Sequence, residues 1–280
     1  MTIGICGAGT MGRGIAVAAL LAGNTVVLFD ISADACSAAE KYIAAQLEKA
    51  VEKKKLSAEE LEKAKTRISS GTSFGILAPC HLVIEAIAEI AEIKHRLFAE
   101  IEKVVATDAI IATNTSSISI ASLASPLQHP ERFCGLHFFN PAHIMKLVEV
   151  VKGPKSAAQV ITFCVDFAKH LGKTPVVAKD VPGFIVNRVA RNFYNEPQRI
   201  VMEGAAQIPQ VDRLIRALGF KMGPFELMDL IGVDVNLDVT KSQWEQFFYE
   251  PRFAPSMLQQ SYVDAGLHGK KTGGGFTGNE

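Results

Sequence analysis

The chain has 280 residues, 48% of them hydrophobic, with 29 basic against 29 acidic side chains and therefore no formal net charge. That length suffices for one large or two modest domains with a real hydrophobic core. The balanced charge excludes the basic footprint expected of a protein that grips nucleic acid or an anionic membrane surface.

The longest apolar stretch near the start, Ile15 to Gly23, is far shorter than the roughly 20 residues a membrane span needs. Thr2–Cys6 reads as a structural strand, so no signal peptide is expected there. Five cysteines (6, 36, 80, 134 and 164) are odd in number, widely spaced and free of any CxxC. They read as reduced, partly buried thiols of a cytoplasmic protein, with neither disulfide nor metal site expected.

In chain order, Thr2–Cys6, Thr25–Phe29, Leu82–Glu85, Ala109–Ala112, Phe133–Phe139, Leu147–Val151 and Pro175–Val177 are predicted strands. Helical patterns lie between several of them, which predicts an α/β domain with a largely parallel sheet. The long connection from about Ala33 to Arg67 reads as two helices. Ser57 with Glu60 three positions on forms a capping box that starts the second. Its charges, Lys53–Lys55, Glu59, Glu60, Glu62 and Lys63, read as a solvated face, with a grip on a phosphorylated ligand tail as the alternative. Beyond Val181 the strands stop and amphipathic helical stretches follow, including Phe184–Glu203 and Val211–Leu218. Pro209 sits where a first helical turn accepts proline. A boundary near Val181 therefore separates residues 1–181, a nucleotide-binding domain, from an all-helical domain at 182–280.

Gly7-Ala8-Gly9-Thr10-Met11-Gly12 directly follows the first strand and opens an apolar helix. That context turns a weak GxGxxG pattern into a dinucleotide fingerprint. Gly7 allows the tight turn, Gly9 lets amides approach a pyrophosphate, and Gly12 lets the helix pack close. Asp30 ends the second strand, 18 residues after Gly12. There its carboxylate accepts from an adenosine ribose and repels a 2′-phosphate, so NAD is expected rather than NADP.

Cys134–Phe139 and Lys146–Val151 flank Asn140–Met145. Paired as a hairpin centred on residue 143, they place His137 opposite Glu149, with Cβ atoms about 5 Å apart. A buried carboxylate there fixes the imidazole tautomer and steadies the imidazolium formed when histidine takes a proton. Downstream of an NAD fingerprint, this pair suits alcohol oxidation. Thr113-Asn114-Thr115-Ser116-Ser117 follows a strand, on the side of an open sheet where ligands bind. Asn187 stands early in the first helix of the second domain, at the expected mouth of an interdomain cleft. His143, at the hairpin tip without a carboxylate partner, is the weaker rival base.

Together these segments resemble the 3-hydroxyacyl-CoA dehydrogenase family over essentially the whole chain. The likeness is carried by Thr113–Ser117, Gly135–Pro141 with Met145–Val150, Pro182–Arg188, Gly223–Leu227 and Gly269–Gly273. It implies a Rossmann-like NAD-binding domain followed by a helical dimerisation domain. It also implies oxidation of an L-3-hydroxyacyl-CoA to the 3-ketoacyl-CoA by a homodimer, and with no recognisable hydratase domain a stand-alone enzyme is expected. On matching positions His137 is the base, Glu149 its partner, and Ser116 and Asn187 hydrogen-bond the reacting substrate. Glu89 and Lys94 match cofactor contacts. The flavour is that of the 3-hydroxybutyryl-CoA or 3-hydroxyadipyl-CoA enzymes, the second favoured by Thr113–Ile120, Pro182–Arg191 and Asp229–Asn236. His143 and Lys221 stand where proline is usual, and Thr277 where an aromatic is. Two readings compete: a dehydrogenase of free 3-hydroxy acids, which relies on a helical lysine base, and a non-catalytic NAD-binding relative. The His137–Glu149 hairpin speaks against the first, and intact Ser116 and Asn187 beside that pair speak against the second.

Overall fold

The computed structural model describes residues 1–278. They form two compact units, residues 1–181 and 182–278.

In the first unit, β1 (Thr2–Cys6), β2 (Thr25–Phe29), β3 (Ile68–Gly71), β4 (Leu82–Glu85), β5 (Ile110–Thr113), β6 (Phe133–Phe138), β7 (Leu147–Lys152) and β8 (Thr174–Lys179) make one sheet. Its order is β3-β2-β1-β4-β5-β6-β7-β8, and every neighbour pair is parallel except β6 with β7. The crossovers carry α1 (Thr10–Leu21), α2 (Ala33–Glu52), α3 (Ala58–Lys65), α4 (Ala91–Val104), α5 (Ile120–Ala124) and α6 (Ala158–His170). Strands covered on both faces read as apolar runs, as Ile3, Ile5, Val26, Leu28, Leu82 and Ile84 do, all fully buried. Each such side chain contributes about 1.5–3 kcal/mol when fully removed from water.

β3 escapes a reading of hydrophobic pattern because Ile-Ser-Ser-Gly is polar and half exposed at the sheet edge. Only its backbone, pairing with β2, makes it a strand. The connection after β2 does hold two helices, and both bonds of the Ser57–Glu60 capping box are formed. Its charges face solvent, as in the exposed Lys63–Glu59 pair.

The second unit contains α7 (Val186–Met202), α8 (Ile208–Ala217), α9 (Pro224–Ile231), α10 (Val233–Gln246) and α11 (Met257–Asp264), and no strand among the described residues. α7 begins two residues later than its sequence pattern suggests, because Phe184 takes φ +48°, outside the helical region. Phe225, Met228 and Val233 are fully buried in this unit's core, beside Tyr194, Val211 and Phe276. The Asp212 carboxylate caps α9 by accepting from the amides of Phe225 and Glu226. Asp229 ties down the C-terminal segment, accepting from the Phe276 and Thr277 amides and the Thr277 hydroxyl. Thr277 thus anchors by hydrogen bonds where an aromatic would anchor by packing.

Candidate active site

The sheet order reverses at β1, which has β2 on one side and β4 on the other. Ligands of open α/β sheets bind outside the strand ends at such a point. A cavity of about 770 Å³ opens there, lined by Gly7, Gly9, Asp30, Phe74, Ile87 and Arg96 among others. Each glycine of the fingerprint has its own geometric reason. Gly7 has φ +107°, and a Cβ there would lie 2.6 Å from the Ala86 carbonyl oxygen. A Cβ on Gly12 would overlap the Gly7 carbonyl. At Gly9 a Cβ would meet nothing within 4 Å, so the space it would occupy is open. Gly9 is also the N-cap of α1 and supplies no side-chain cap, so the first-turn amides face that space.

Asp30 accepts from the Ala8 amide at 2.8 Å and the Ser32 amide at 3.0 Å, one bond to each oxygen. The carboxylate is thereby held at the rim of the glycine turn with lone pairs left for a diol. Ile31 is 86% exposed and lines the same cavity, an apolar surface awaiting a flat ring. These residues fit a dinucleotide: an open gap at the amides, an anchored carboxylate and an apolar flank.

Farther along the sheet, β6 and β7 pair with His137 opposite Glu149. The imidazole Nδ1 lies 2.7 Å from Glu149 Oε2, and their side chains are 7% and 1% exposed. An ionised Glu149 requires the proton on Nδ1, which puts the imidazole lone pair on Nε2. The hairpin forms because Leu136, Phe138, Val148 and Val150 are buried on the opposite face, leaving residues 137 and 149 to share the other. Asn114 fastens this strand to the preceding loop, its Oδ1 accepting from the Phe138 amide at 2.8 Å.

Between the two regions stands a charged cluster. Glu89 Oε1 accepts from the Thr115 hydroxyl at 2.5 Å and from the amides of Ser116 and Ser117 at 2.9 and 3.3 Å. Its other oxygen lies 2.8 Å from the Lys94 ammonium. Burial pushes the Glu89 carboxyl up, but the Lys94 charge and these donors outweigh it and leave its pKa below the usual value. Lys94 is itself buried, and its ammonium also holds Glu85. Pattern reading placed Ser116 in a polar loop at the ligand side of the sheet, whereas Glu89 and Lys94 came forward only through family likeness. It passed over Glu85, which looked like the end of a strand. A carboxylate closing an otherwise apolar run, Leu-Val-Ile-Glu, was the available signal.

Asn187 is in the first turn of α7, in the helical unit. His143 packs edge-on against Tyr42, with ring centroids 6.4 Å apart. Burial and the Lys173, Lys53 and Lys55 charges lower its pKa. Among the described residues no cluster of His, Cys, Asp or Glu suits a metal ion, and no helix is long and apolar enough to cross a membrane. All five cysteines are buried free thiols.

A doubly wound sheet with this glycine turn and an anchored acidic residue defines a dinucleotide-binding domain of the oxidoreductase type. The family follows from comparison. Residues 2–181 match the 3-hydroxyacyl-CoA dehydrogenase NAD-binding domain and residues 183–278 the C-terminal domain of the same family. The chain belongs to the 3-hydroxyacyl-CoA dehydrogenase family, and its first unit is that family's NAD-binding domain.

Among its relatives, a 3-hydroxyadipyl-CoA dehydrogenase of Escherichia coli is 46% identical over 97% of this chain and 58% of its own length. A 3-hydroxybutyryl-CoA dehydrogenase of Bradyrhizobium diazoefficiens is 40% identical over 98% of this chain and 94% of its own. A crystal structure of (S)-3-hydroxybutyryl-CoA dehydrogenase from Ralstonia eutropha superposes with a TM-score of 0.95 at 38% identity, covering 98% and 97% of the two chains. The chain spans little more than half the length of the E. coli relative.

Proposed function

We propose that this chain oxidises L-3-hydroxyacyl-CoA thioesters to 3-ketoacyl-CoA with NAD, His137 acting as general base beside Glu149. The observation that carries the reading is the buried 2.7 Å His137–Glu149 contact on the sheet of an NAD-binding domain. Strand order supports it. From β2 through β1, β4 and β5 to β6 the sheet presents, in turn, Asp30, the glycine turn, Glu89 with its Thr115–Ser117 loop, and His137. Four strand spacings of about 4.8 Å make about 19 Å, the order of length of an extended dinucleotide. Adenosine at Asp30 and pyrophosphate at the glycine turn leave the nicotinamide half toward β4 and β5, beside the histidine strand.

Bound NAD supplies the hydride acceptor. Asp30 holds the adenosine ribose, the α1 amides hold the pyrophosphate, and Glu89, fixed by Lys94, holds the nicotinamide side. Ser116 and Asn187 orient the substrate oxygen. His137 Nε2 takes the hydroxyl proton as the C3–O bond becomes a carbonyl and the C3 hydrogen leaves with its electron pair. Glu149 stabilises the resulting imidazolium.

The acyl group we assign is short, with 3-hydroxybutyryl-CoA the first candidate. The 46%-identical relative named as a 3-hydroxyadipyl-CoA dehydrogenase favours a second reading, an acyl chain ending in a carboxylate. We place the enzyme in the cytoplasm as a homodimer joined through its helical unit. There Val189, Leu214, Leu218 and Phe220 are more than half exposed. Following NAD reduction with hydroxybutyryl-, hydroxyhexanoyl- and hydroxyadipyl-CoA tests the reading. Turnover of free 3-hydroxybutyrate but of no thioester would overturn it.

A further inference from the structure

Glu85 is a fully buried carboxylate to which the reaction above gives no task. It ends β4, in register with Thr113 at the end of β5. Oε1 accepts from the Ile87 amide at 2.8 Å and from the Lys94 ammonium at 2.7 Å. Oε2 accepts from Lys94 at 2.9 Å and from the Thr113 hydroxyl at 2.6 Å. Thr113 Oγ1 in turn accepts from the Thr115 amide at 3.2 Å, which directs its own proton to Glu85. With Lys94 bound to Glu89, and Glu89 to Thr115, the contacts close into a ring: Glu85, Lys94, Glu89, Thr115, Thr113.

Two features of this ring matter. First, it joins three parts of the cofactor cavity's surroundings. Ile87 and Ala88 line the cavity just past β4, Ile93 and Arg96 line it from α4 on either side of Lys94, and Thr115 begins the loop that Glu89 holds. Second, it contains two carboxylates and one ammonium. Burial pushes the Glu85 carboxyl above its usual value, and Lys94 and the other donors pull it only part of the way back. Its two oxygens are met by the Ile87 amide, the Lys94 ammonium and the Thr113 hydroxyl, the set of donors an ionised carboxylate takes. The trio then carries one uncompensated negative charge. It lies on the β4–β5 side, where the nicotinamide half of a dinucleotide falls once adenosine is at Asp30. The oxidised nicotinamide ring is a cation and the reduced ring is neutral.

We propose that Glu85 is a positioning residue of the dehydrogenase, holding the cavity wall and the Lys94–Glu89 pair in place and biasing the site toward the oxidised cofactor through the excess negative charge of the trio. The inference rests on the NAD-binding orientation described above but not on the choice of acyl substrate.

The test is titration of the full-length protein with NAD⁺ and with NADH, without acyl-CoA, for wild type, Glu85→Gln and Glu85→Asp, with thermal unfolding of each. Glutamine removes the charge and sets an amide donor against Lys94 and Thr113. A unit charge acting across about 10 Å at an effective dielectric constant of about 20 corresponds to about tenfold in affinity. Glu85→Gln is therefore expected to weaken NAD⁺ about tenfold and NADH no more than about threefold. Aspartate keeps the charge but cannot reach Ile87, Lys94 and Thr113 together, so both cofactors should weaken alike and their ratio should stay near wild type. A purely structural glutamate would lower the unfolding temperature without separating the two cofactors. Equal weakening of NAD⁺ and NADH in folded Glu85→Gln overturns the charge effect, and unaltered cofactor affinity in Glu85→Asp overturns the positioning. If Glu85→Gln does not fold, the Asp variant decides: a wild-type ratio with weakened affinities supports the proposal, and a ratio shifted toward NADH refutes it. Absence of thioester oxidation by the wild type would refute the assigned reaction while leaving these titrations to stand or fall separately.

Discussion

Replacing Glu149 with glutamine leaves a side chain of the same size on β7 but removes the charge that faces His137 at 2.7 Å. In the wild type, the step that moves the hydroxyl proton to the imidazole creates a cation against a carboxylate that is 1% exposed. With charge centres about 4 Å apart and an effective dielectric constant of about 20, that attraction is about 4 kcal/mol. At about 1.4 kcal/mol per decade, its loss lowers the rate by about three powers of ten. A second effect acts in the same direction. The glutamine amide can donate to Nδ1, which would move the imidazole proton to Nε2 and leave no base toward the substrate. We therefore expect kcat to fall about 10³-fold, inside the range of about 10²–10⁴ typical of general base catalysis. NAD affinity should change little, because Glu149 is four strands from the glycine turn. The assay is initial-rate formation of reduced cofactor with 3-hydroxybutyryl-CoA. A fluorescence titration of cofactor and a thermal melt should come first, since breaking a buried pair can also cost stability. His137→Gln should lose a similar factor. Because the pair acts as a unit, the double variant should be little worse than His137→Gln alone. A folded Glu149→Gln enzyme with near-normal kcat, or single losses that multiply fully in the double variant, would refute the relay.

Asp30→Ala should weaken NAD and relax the rejection of NADP, because it removes both the ribose acceptor and the charge that repels a 2′-phosphate; parallel titration of the two cofactors measures it, and an unchanged NAD/NADP ratio would take Asp30 out of the account. Light scattering at micromolar concentration should report about twice the 30.2 kDa chain mass, and a Leu214→Glu, Leu218→Glu pair should shift the protein toward monomer. A strictly monomeric active wild type would remove the dimer. His143 has a folded pKa below its usual value of about 6.5, so the neutral form is the one the fold accommodates. Its contribution to stability is then complete above about pH 6.5 and is lost as pH falls through the depressed folded value. The melting-temperature advantage of wild type over His143→Gln should shrink between about pH 7 and pH 5, and a pH-independent difference would contradict that burial effect.

Much of this was legible from order along the chain. Thr2–Cys6, Thr25–Phe29 and Leu82–Glu85 are strands at the bounds their apolar runs suggest, because a two-sided sheet strand must be apolar throughout. The glycine fingerprint, the capping box and the opposition of His137 to Glu149 are local patterns. Their spacing in sequence translates directly into spacing in space. β3 was hidden because a polar edge strand is defined by the backbone it pairs with rather than by its own side chains. The start of α7 was hidden because the positive φ of Phe184 is set by its surroundings, not by any preference of phenylalanine.

The charged ring shows most clearly what sequence alone could not decide. Glu85, Lys94 and Thr113 come from β4, α4 and β5, and nothing in their separations announces a shared hydrogen-bond network. Glu85 becomes an enclosed carboxylate only because parallel strands bring residues 85 and 113 side by side and α4 packs beside them. Burial then makes Lys94 indispensable to Glu85, since an unpaired charge in that environment would be too costly to keep. Periodicity and motif determined most of the elements and the glycine fingerprint of the dinucleotide-binding domain. The tertiary structure decided which ionisable groups share one hydrogen-bonded network, because electrostatic coupling depends on distance and dielectric, and neither is written in chain order.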